Sequence, residues 1–311
     1  GYEVGGCDIL IGGYEDNIPK EVKWDKLDIL NNAELAKAMK GYDAVLHASA
    51  LPYEGVSVNS PFTVGQNIYG GSISVASAAI ANQLQLIVNL SSMARYGQLT
   101  PPFKETDNAK PVDPYGRAKL DAEIALNLLS DIHGIKVYHV VPHNVVGRGQ
   151  VYTDPFRNVL AIFANRLLQG KHIYIYGDGS QKRSFSHVDD CSVAINKLIA
   201  YPQFMSGEVF NIGPEHNEIT IKEAAYKVAH YCSIYPNIEY LPARPREVKY
   251  SWVDVSKAKK ELNYRPKTSI DDIIKELVGY IKGRGTFPFN YHLPLEIIKN
   301  DTPEVWTKKL Y

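Results

Sequence analysis

Five short strand-like runs, YEVGGCD (2–8), EVKWDKLD (21–28), DAVLHAS (43–49), QLIVNLS (85–91) and KVYHVV (136–141), recur through the first half of the chain. Amphipathic stretches at 32–40, 61–83 and 114–133 lie between the later ones. Strand-like runs separated by helical ones leave few folds open. Strands joined across a helix pair in parallel, and a parallel sheet needs helices on both faces. The predicted class is therefore α/β, a doubly wound parallel sheet. Helix-start signals agree with it. Asp113 before Pro114 suits an N-cap and a first helical position, Thr220 with Glu223 forms a capping box, and Ser269 with Asp272 is a similar start.

Beyond about residue 150 the pattern breaks into shorter pieces punctuated by Pro and Gly, as in YGDGS (176–180) and NIGPEHN (211–217). The expected organisation is a Rossmann-like domain over 1–150 and a smaller α/β lobe over 151–282, some segments of which return to the first domain. The aromatic-rich tail, 283–311, lacks a clear period and is expected to pack on the body or on a partner. A dinucleotide fold of this kind needs a first strand and a glycine-rich turn that opens a helix and cradles a pyrophosphate. No G-x-G-x-x-G or G-x-x-G-x-x-G stands before a helix here, so Gly5, Gly6, Gly12 and Gly13 read as strand and loop glycines. GYEVGGCDIL instead reads like the second strand, ending in an acid. The expectation is that one βα half-unit, roughly 25–30 residues, precedes this sequence in the natural protein. A truncated chain that binds no dinucleotide is the alternative.

Bulk properties exclude more than they specify. With 34 basic and 34 acidic residues the chain has no net charge, which gives no electrostatic reason to expect nucleic acid or an anionic membrane. No apolar run approaches a span of about 20 residues, and no signal peptide opens the sequence. Cys7, Cys191 and Cys232 are odd in number and far apart, with no CxxC, so they read as reduced thiols rather than a disulfide framework or a metal site. A soluble cytoplasmic protein is expected.

The sharpest local signal is DPYGRAK, 113–119. Tyr115 and Lys119 are four apart and project from one helix face. A phenol titrates near 10, and a neighbouring ammonium favours the phenolate, so such a tyrosine can take a proton from an alcohol while hydride leaves its carbon. Spacing alone is weak, because Tyr and Lys are common on helix surfaces. Upstream, LSSMARYG (90–97) runs from an apolar strand into serines and places Ser92 at the strand's carboxyl end, where open α/β sheets bind ligands.

SSMARYG, PYGRAK, NVVG (144–147) and DGSQKRSFSHVDD (178–190), in that order, resemble the extended short-chain dehydrogenase/reductase family, and within it the UDP-glucose 4-epimerase-like branch. The resemblance covers roughly residues 1–282. It implies Ser92, Tyr115 and Lys119 as catalytic residues and NAD as cofactor. It further implies cofactor contacts from Asp8, which would accept from the adenosine ribose and repel a 2′-phosphate, and from Asp28 and Ile29 at the adenine. His47 and Ala48 of HASA, Asn67, Ser91 and Pro142 complete that set. For a nucleotide-sugar substrate it implies Ser92, Asn144, Arg183, Arg244 and Glu247, arginine being suited to a diphosphate by its planar fork. His187 falls in a structural segment, HVDD, and reads as a capping or packing histidine. The resemblance also implies a homodimer formed through the helix that carries YxxxK, and Ala122, Ile124, Ala125 and Leu128 are compatible with it.

Three departures shape the expected activity. Relatives that eliminate or decarboxylate carry an acid just after the catalytic Ser/Thr, where this chain has Met93 and Ala94. Val141 stands where relatives often carry arginine. Ser251 is small where some 4-epimerases are bulky, which implies room for a 2-acetamido group. The expected activity is an NDP-sugar 4-epimerase acting by transient C4 oxidation on a UDP-hexose or UDP-N-acetylhexosamine. The alternatives are an NAD(P)-dependent keto-sugar reductase or 3β-hydroxysteroid-type dehydrogenase, and a non-catalytic NAD-binding regulator.

Overall fold

The computed structural model describes residues 1–311. The strands are where the strand-like runs put them: β1 Gly5–Asp8, β2 Lys23–Lys26, β3 Ala44–His47, β4 Leu86–Leu90 and β5 Lys136–Pro142. Helix α1 is Asn32–Ala38. The amphipathic stretch that follows β3 is divided into α2 Pro61–Gly65, a π turn Gln66–Gly70 and α3 Gly71–Ala81. Helix α4 runs Pro114–His133, capped by Asp113, whose side chain accepts from the Gly116 N–H, with Pro114 in the first turn.

All pairings in this half are parallel. β3, β4 and β5 lie side by side, and β10 (Glu208–Ile212) returns from the second half of the chain to the far edge of β5. β1 and β2 form a separate parallel pair, and the β3 edge of the four-stranded sheet has no partner strand among residues 1–311. Helices cover both faces. Leu35, Val75, Ala79 and Leu126 pack with Ile87 and Val137 on one side. On the other, Ala194 and Leu198 of α6 (Val188–Ala200) and Ala258 of α8 (Ser256–Leu262) pack with Val88, Tyr138 and Val140. Alternate residues of β4 and β5 thus feed two cores, which is why these strands read as unbroken apolar runs. The sheet is doubly wound, as the alternation of runs required.

The smaller lobe has its own core. Phe163 and Leu167 of α5 (Val159–Leu168), Val228 of α7 (Ile221–Cys232) and Ile274, Leu277 and Ile281 of α9 (Ile270–Arg284) enclose Ile173 and Ile175 of β7 (Ile173–Tyr176). Thr220 and Glu223 cap α7 reciprocally, and Ser269 caps α9. β8 (Lys182–Ser184) pairs with β13 (Tyr250–Ser251), which brings Arg183 near the loop that carries Arg244 and Glu247. His187 caps α6, its Nδ1 accepting from the Asp189 N–H. All three cysteines are free. No helix is long and apolar enough to cross a membrane.

Candidate active site

The carboxyl ends of β1, β3, β4 and β5 open on one cleft of about 630 Å³ between the sheet and the smaller lobe. Its position follows from the topology, since parallel strands all point their carboxyl ends the same way. Helix α4 forms its central wall. Tyr115, Lys119 and Glu123 are spaced four apart on one face of α4, and all three are buried. The Tyr115 N–H donates to Ser57 Oγ at 3.3 Å. Gly116 lets the helix approach the Met93–Tyr96 turn closely: a β-carbon there would lie 2.5 Å from the Ala94 carbonyl oxygen. This contact brings Tyr115 beside Ser92, whose own hydroxyl accepts from the Ala94 N–H at 3.2 Å.

Burial pushes the Tyr115 phenol up to about 12, and the neighbouring Ser92 hydroxyl pulls in the opposite direction. Burial pulls the Lys119 ammonium down to about 8, opposed by the carboxylate of Glu123. Lys119 Nζ donates to the Leu90 carbonyl at 2.7 Å, at the end of β4. Glu123 accepts from the Ser91 hydroxyl and pairs with the buried Arg95 at 3.0 Å. The tyrosine thus stands over a buried network of charge. The Asp113 carboxyl, which caps the helix, is raised by its own burial and by the nearby Glu54.

At the β1 end of the cleft stand Asp8, Asp28, Ile29, Ala48 and Asn67. Asp8 Oδ1 accepts from the Leu10 N–H at 2.7 Å and Asp28 Oδ1 from the Leu30 N–H at 2.9 Å. In each case the second carboxylate oxygen is left for a hydroxyl. Asn67 sits in the π turn and accepts from the Leu51 N–H at 2.7 Å, which fixes the loop after β3. Ser91 and Pro142 also line the cleft. At the other end, Arg244 donates to Glu247 at 2.8 Å, Arg183 lies 3.5 Å from the same carboxylate oxygen, and Arg244 lies 4.8 Å above the Tyr176 ring. Burial raises the Glu247 carboxyl, but Arg244 and then Arg183 outweigh it and hold the group below the usual carboxylate range. Asn144 lines the cleft while donating to the Ser184 carbonyl at 2.9 Å.

Two expected site residues lie elsewhere. His47 is buried under the cleft floor, bonded to Ser72 Oγ at 3.0 Å, and burial holds it neutral by pulling it down to about 3. The last residue of a strand alternates faces with the next, so Ala48 meets the cleft and His47 meets α3. Ser251 is buried with its hydroxyl 3.1 Å from Met93 Sδ, and it is Met93 that lines the cleft. Sequence reasoning also missed residues that the fold supplies. Arg157 lines the cleft and pulls down the titration of both Tyr115 and Lys119. Tyr53, Glu54, Trp306 and Tyr311 line it as well. None of these carries a motif, and only the aromatic richness of the tail hinted at the last two.

The Lys119 ammonium, a triple donor, has one protein acceptor despite its burial. Together with the free carboxylate oxygens of Asp8 and Asp28, it suits the two riboses and the nicotinamide side of a dinucleotide. No glycine-rich turn into a helix lies among residues 1–311, so these residues fit the ribose and nicotinamide ends rather than the pyrophosphate. NAD bound here would supply the acceptor, and then the donor, of hydride at a substrate carbon. Tyr115 would move the hydroxyl proton, Ser92 would orient that hydroxyl, and Lys119 would favour the phenolate.

Comparisons with known proteins agree with this arrangement. A UDP-glucuronate 4-epimerase of Thermodesulfobacterium geofontis is 28% identical over 268 residues, covering 84% of this chain and 79% of that one. A UDP-glucose 4-epimerase of Mycolicibacterium smegmatis is 28% identical over 297 residues, covering 91% and 92%. Among solved structures, a UDP-glucose 4-epimerase of Thermotoga maritima with UDP-glucose superposes with a TM-score of 0.84 at 26% identity, covering 91% of this chain and 92% of the other. The model of the NAD dependent epimerase/dehydratase family matches residues 1–213, which hold Ser92, Tyr115, Lys119 and the strand-end acids Asp8 and Asp28 of the cleft. With the strand-end acids, the tyrosine and the arginines all on one cleft, this chain belongs to that family.

Proposed function

We propose that this chain interconverts the C4 epimers of a UDP-sugar by oxidising C4 transiently and re-reducing it, with tightly held NAD. The observation that carries this reading is the order along the cleft: strand-end acids at one end, Tyr115 with Ser92 and Lys119 in the middle, and Arg183, Arg244 and Glu247 at the other end. A dinucleotide and a nucleoside diphosphate, each held at its own end, bring a nicotinamide and a sugar together at Tyr115. The residues after Ser92 are Met93 and Ala94, so no carboxylate follows the serine on that turn to assist elimination or decarboxylation, and the Asp113 carboxylate is taken up in capping α4. That favours simple oxidation and return. The names of the relatives, several of them UDP-sugar 4-epimerases, support the same reading.

On this reading, residues 1–150 carry the cofactor and residues 151–282 mainly the sugar nucleotide. Because Ser251 stands behind Met93, the Met93 side chain rather than Ser251 bounds the sugar. We further infer a homodimer. Ile124, Leu128 and Ile132, spaced four apart on α4, are 58%, 59% and 63% exposed, an apolar stripe that a second α4 would cover. Free thiols, two of them buried, suit a cytoplasmic protein.

The test is proton NMR of UDP-glucose, UDP-N-acetylglucosamine and UDP-glucuronate, each incubated with the protein and NAD. At least one should reach an equilibrium mixture of C4 epimers with no net change in NAD. Stoichiometric consumption of NAD(P)H with a keto-sugar would establish the reductase reading instead.

A further inference from the structure

The segment after α9, residues 286–311, lies outside the family-matched region yet is tied into the cleft at both of its sides. One side is the loop after β3. The Asn59 carbonyl accepts from the N–H groups of Glu296 and Ile297 at 2.8 and 2.9 Å. Its side-chain amide donates to the Ile297 carbonyl at 2.9 Å and to Thr302 Oγ1 at 3.0 Å. The Glu296 carboxylate accepts from the Phe62 and Thr63 N–H groups at 2.9 and 2.8 Å, which satisfies the open start of α2. The other side is the smaller lobe, where Asn165 of α5 donates to the Phe287 carbonyl at 2.9 Å and Arg166 to the Leu310 carbonyl at 3.1 Å.

Between these anchors the segment reaches the cleft. Leu293, Val305 and Trp306 share one buried apolar cluster with Val56, Ile68 and the catalytic Tyr115. Trp306 lines the cleft with its ring 6.5 Å from that of Tyr176, on which Arg244 stacks. At Gly55 the three parts meet: a β-carbon there would lie 2.9 Å from the Arg244 guanidinium and 3.8 Å from the Trp306 ring.

We propose that residues 286–311 are part of the substrate-binding site. They clasp the 51–63 loop to the smaller lobe, and Trp306 forms the wall behind Arg244, so the segment governs affinity for the sugar nucleotide. This rests on the epimerase reading for the identity of the ligand, but the clasp itself is independent of it. Its anchors touch Asn59, Phe62, Thr63, Asn165 and Arg166, and none touches Asp8, Asp28 or Lys119, so its effect should fall on the substrate and not on the cofactor.

The experiment uses the full chain with Trp306→Ala, Trp306→Phe and Asn59→Ala, each checked for native circular dichroism. Steady-state kinetics on the UDP-sugar that the wild type accepts are combined with the NAD content of the denatured protein. The expected result for Trp306→Ala is a KM raised by about tenfold, as removal of a large aromatic wall costs a ligand on that order, with kcat changed far less and NAD content unaltered. Trp306→Phe should recover most of the loss. Wild-type KM in Trp306→Ala, or a fall in kcat or NAD content with KM unchanged, would overturn the proposal. Hydrogen exchange of residues 51–63 without ligand decides the matter if the wild type acts on no UDP-sugar. Faster exchange in Asn59→Ala would then uphold the clasp while the epimerase reading fails, and unchanged exchange would overturn the clasp.

Discussion

Gly116→Ala separates the local rule from the tertiary contact. In an exposed helix interior, replacing Gly by Ala stabilises by about 1 kcal/mol, because glycine loses the most backbone entropy and alanine is the best helix former. By that rule alone the variant would be more stable. The structure predicts the opposite. The new methyl would lie 2.5 Å from the Ala94 carbonyl oxygen and 2.9 Å from its carbonyl carbon, well inside the 3.4 Å at which ordinary contact begins. The obstacle is backbone, not the end of a flexible side chain, so α4 or the 92–96 turn must shift by nearly an ångström. Overpacking of this kind costs about 1–3 kcal/mol, and a backbone obstacle puts it at the upper end. After the propensity gain, a net loss of about 2 kcal/mol remains, or about 4–8 °C in Tm for a large domain. The shift also separates Tyr115 from Ser92, and misplacement by about 1 Å costs on the order of 100-fold in rate. Thermal unfolding and kcat of the NAD-loaded protein measure both. A Gly116→Ala variant as stable and as active as the wild type would refute the claim that this close approach positions the tyrosine.

Other predictions follow from the same network. Glu123→Gln leaves Arg95 buried without its 3.0 Å partner and should cost about 3–5 kcal/mol in urea unfolding; removing both charges together with apolar residues should restore most of it. Lys119, pulled down to about 8 by burial, loses its proton as pH rises through that value, so kcat/KM should fall above about pH 8. In Lys119→Met that limb should vanish along with most of the rate. Since the folded titration lies below the unfolded one, the unfolded chain holds the extra proton between about pH 8 and 10.5. The lysine therefore burdens the fold at neutral pH and is relieved across that window, so Lys119→Met should not lower Tm at pH 7. Leu128→Lys should convert a dimer to a monomer by light scattering without lowering Tm below that of the monomer; an unchanged mass would place any interface elsewhere.

Much of the framework was legible in the residues. The strand-like runs located β1 to β5, most plainly β4 and β5 because strands buried on both faces must be continuous, and Asp113, Thr220 and Ser269 marked helix starts because their side chains satisfy open N–H groups. Tyr115 and Lys119 were legible as a pair, but their neighbours Arg95 and Glu123 were not, since a buried ion pair has no spacing rule across a turn and a helix. The fold also overruled two expectations. His47 and Ala48 are adjacent in sequence and opposite in direction, and the strand's alternation sent the histidine into α3 rather than the cleft. The small Ser251 predicts a roomy wall of the sugar pocket, but the β8–β13 pairing sets it behind Met93. The tail was opaque for a different reason. Its contacts with Asn59 and Arg166 are hydrogen bonds from single side chains to the backbone of segments far apart in sequence, and these leave no periodic trace.

The central claim is that Tyr115 serves a reversible oxidation at one sugar carbon, and a UDP-sugar carrying deuterium at C4 tests it most directly. Incubated in ordinary water with the NAD-loaded protein, it should yield the C4 epimer with the deuterium fully retained at C4, and Tyr115→Phe should yield almost none. Loss of the label to solvent, or epimerisation by Tyr115→Phe at the wild-type rate, would contradict the account.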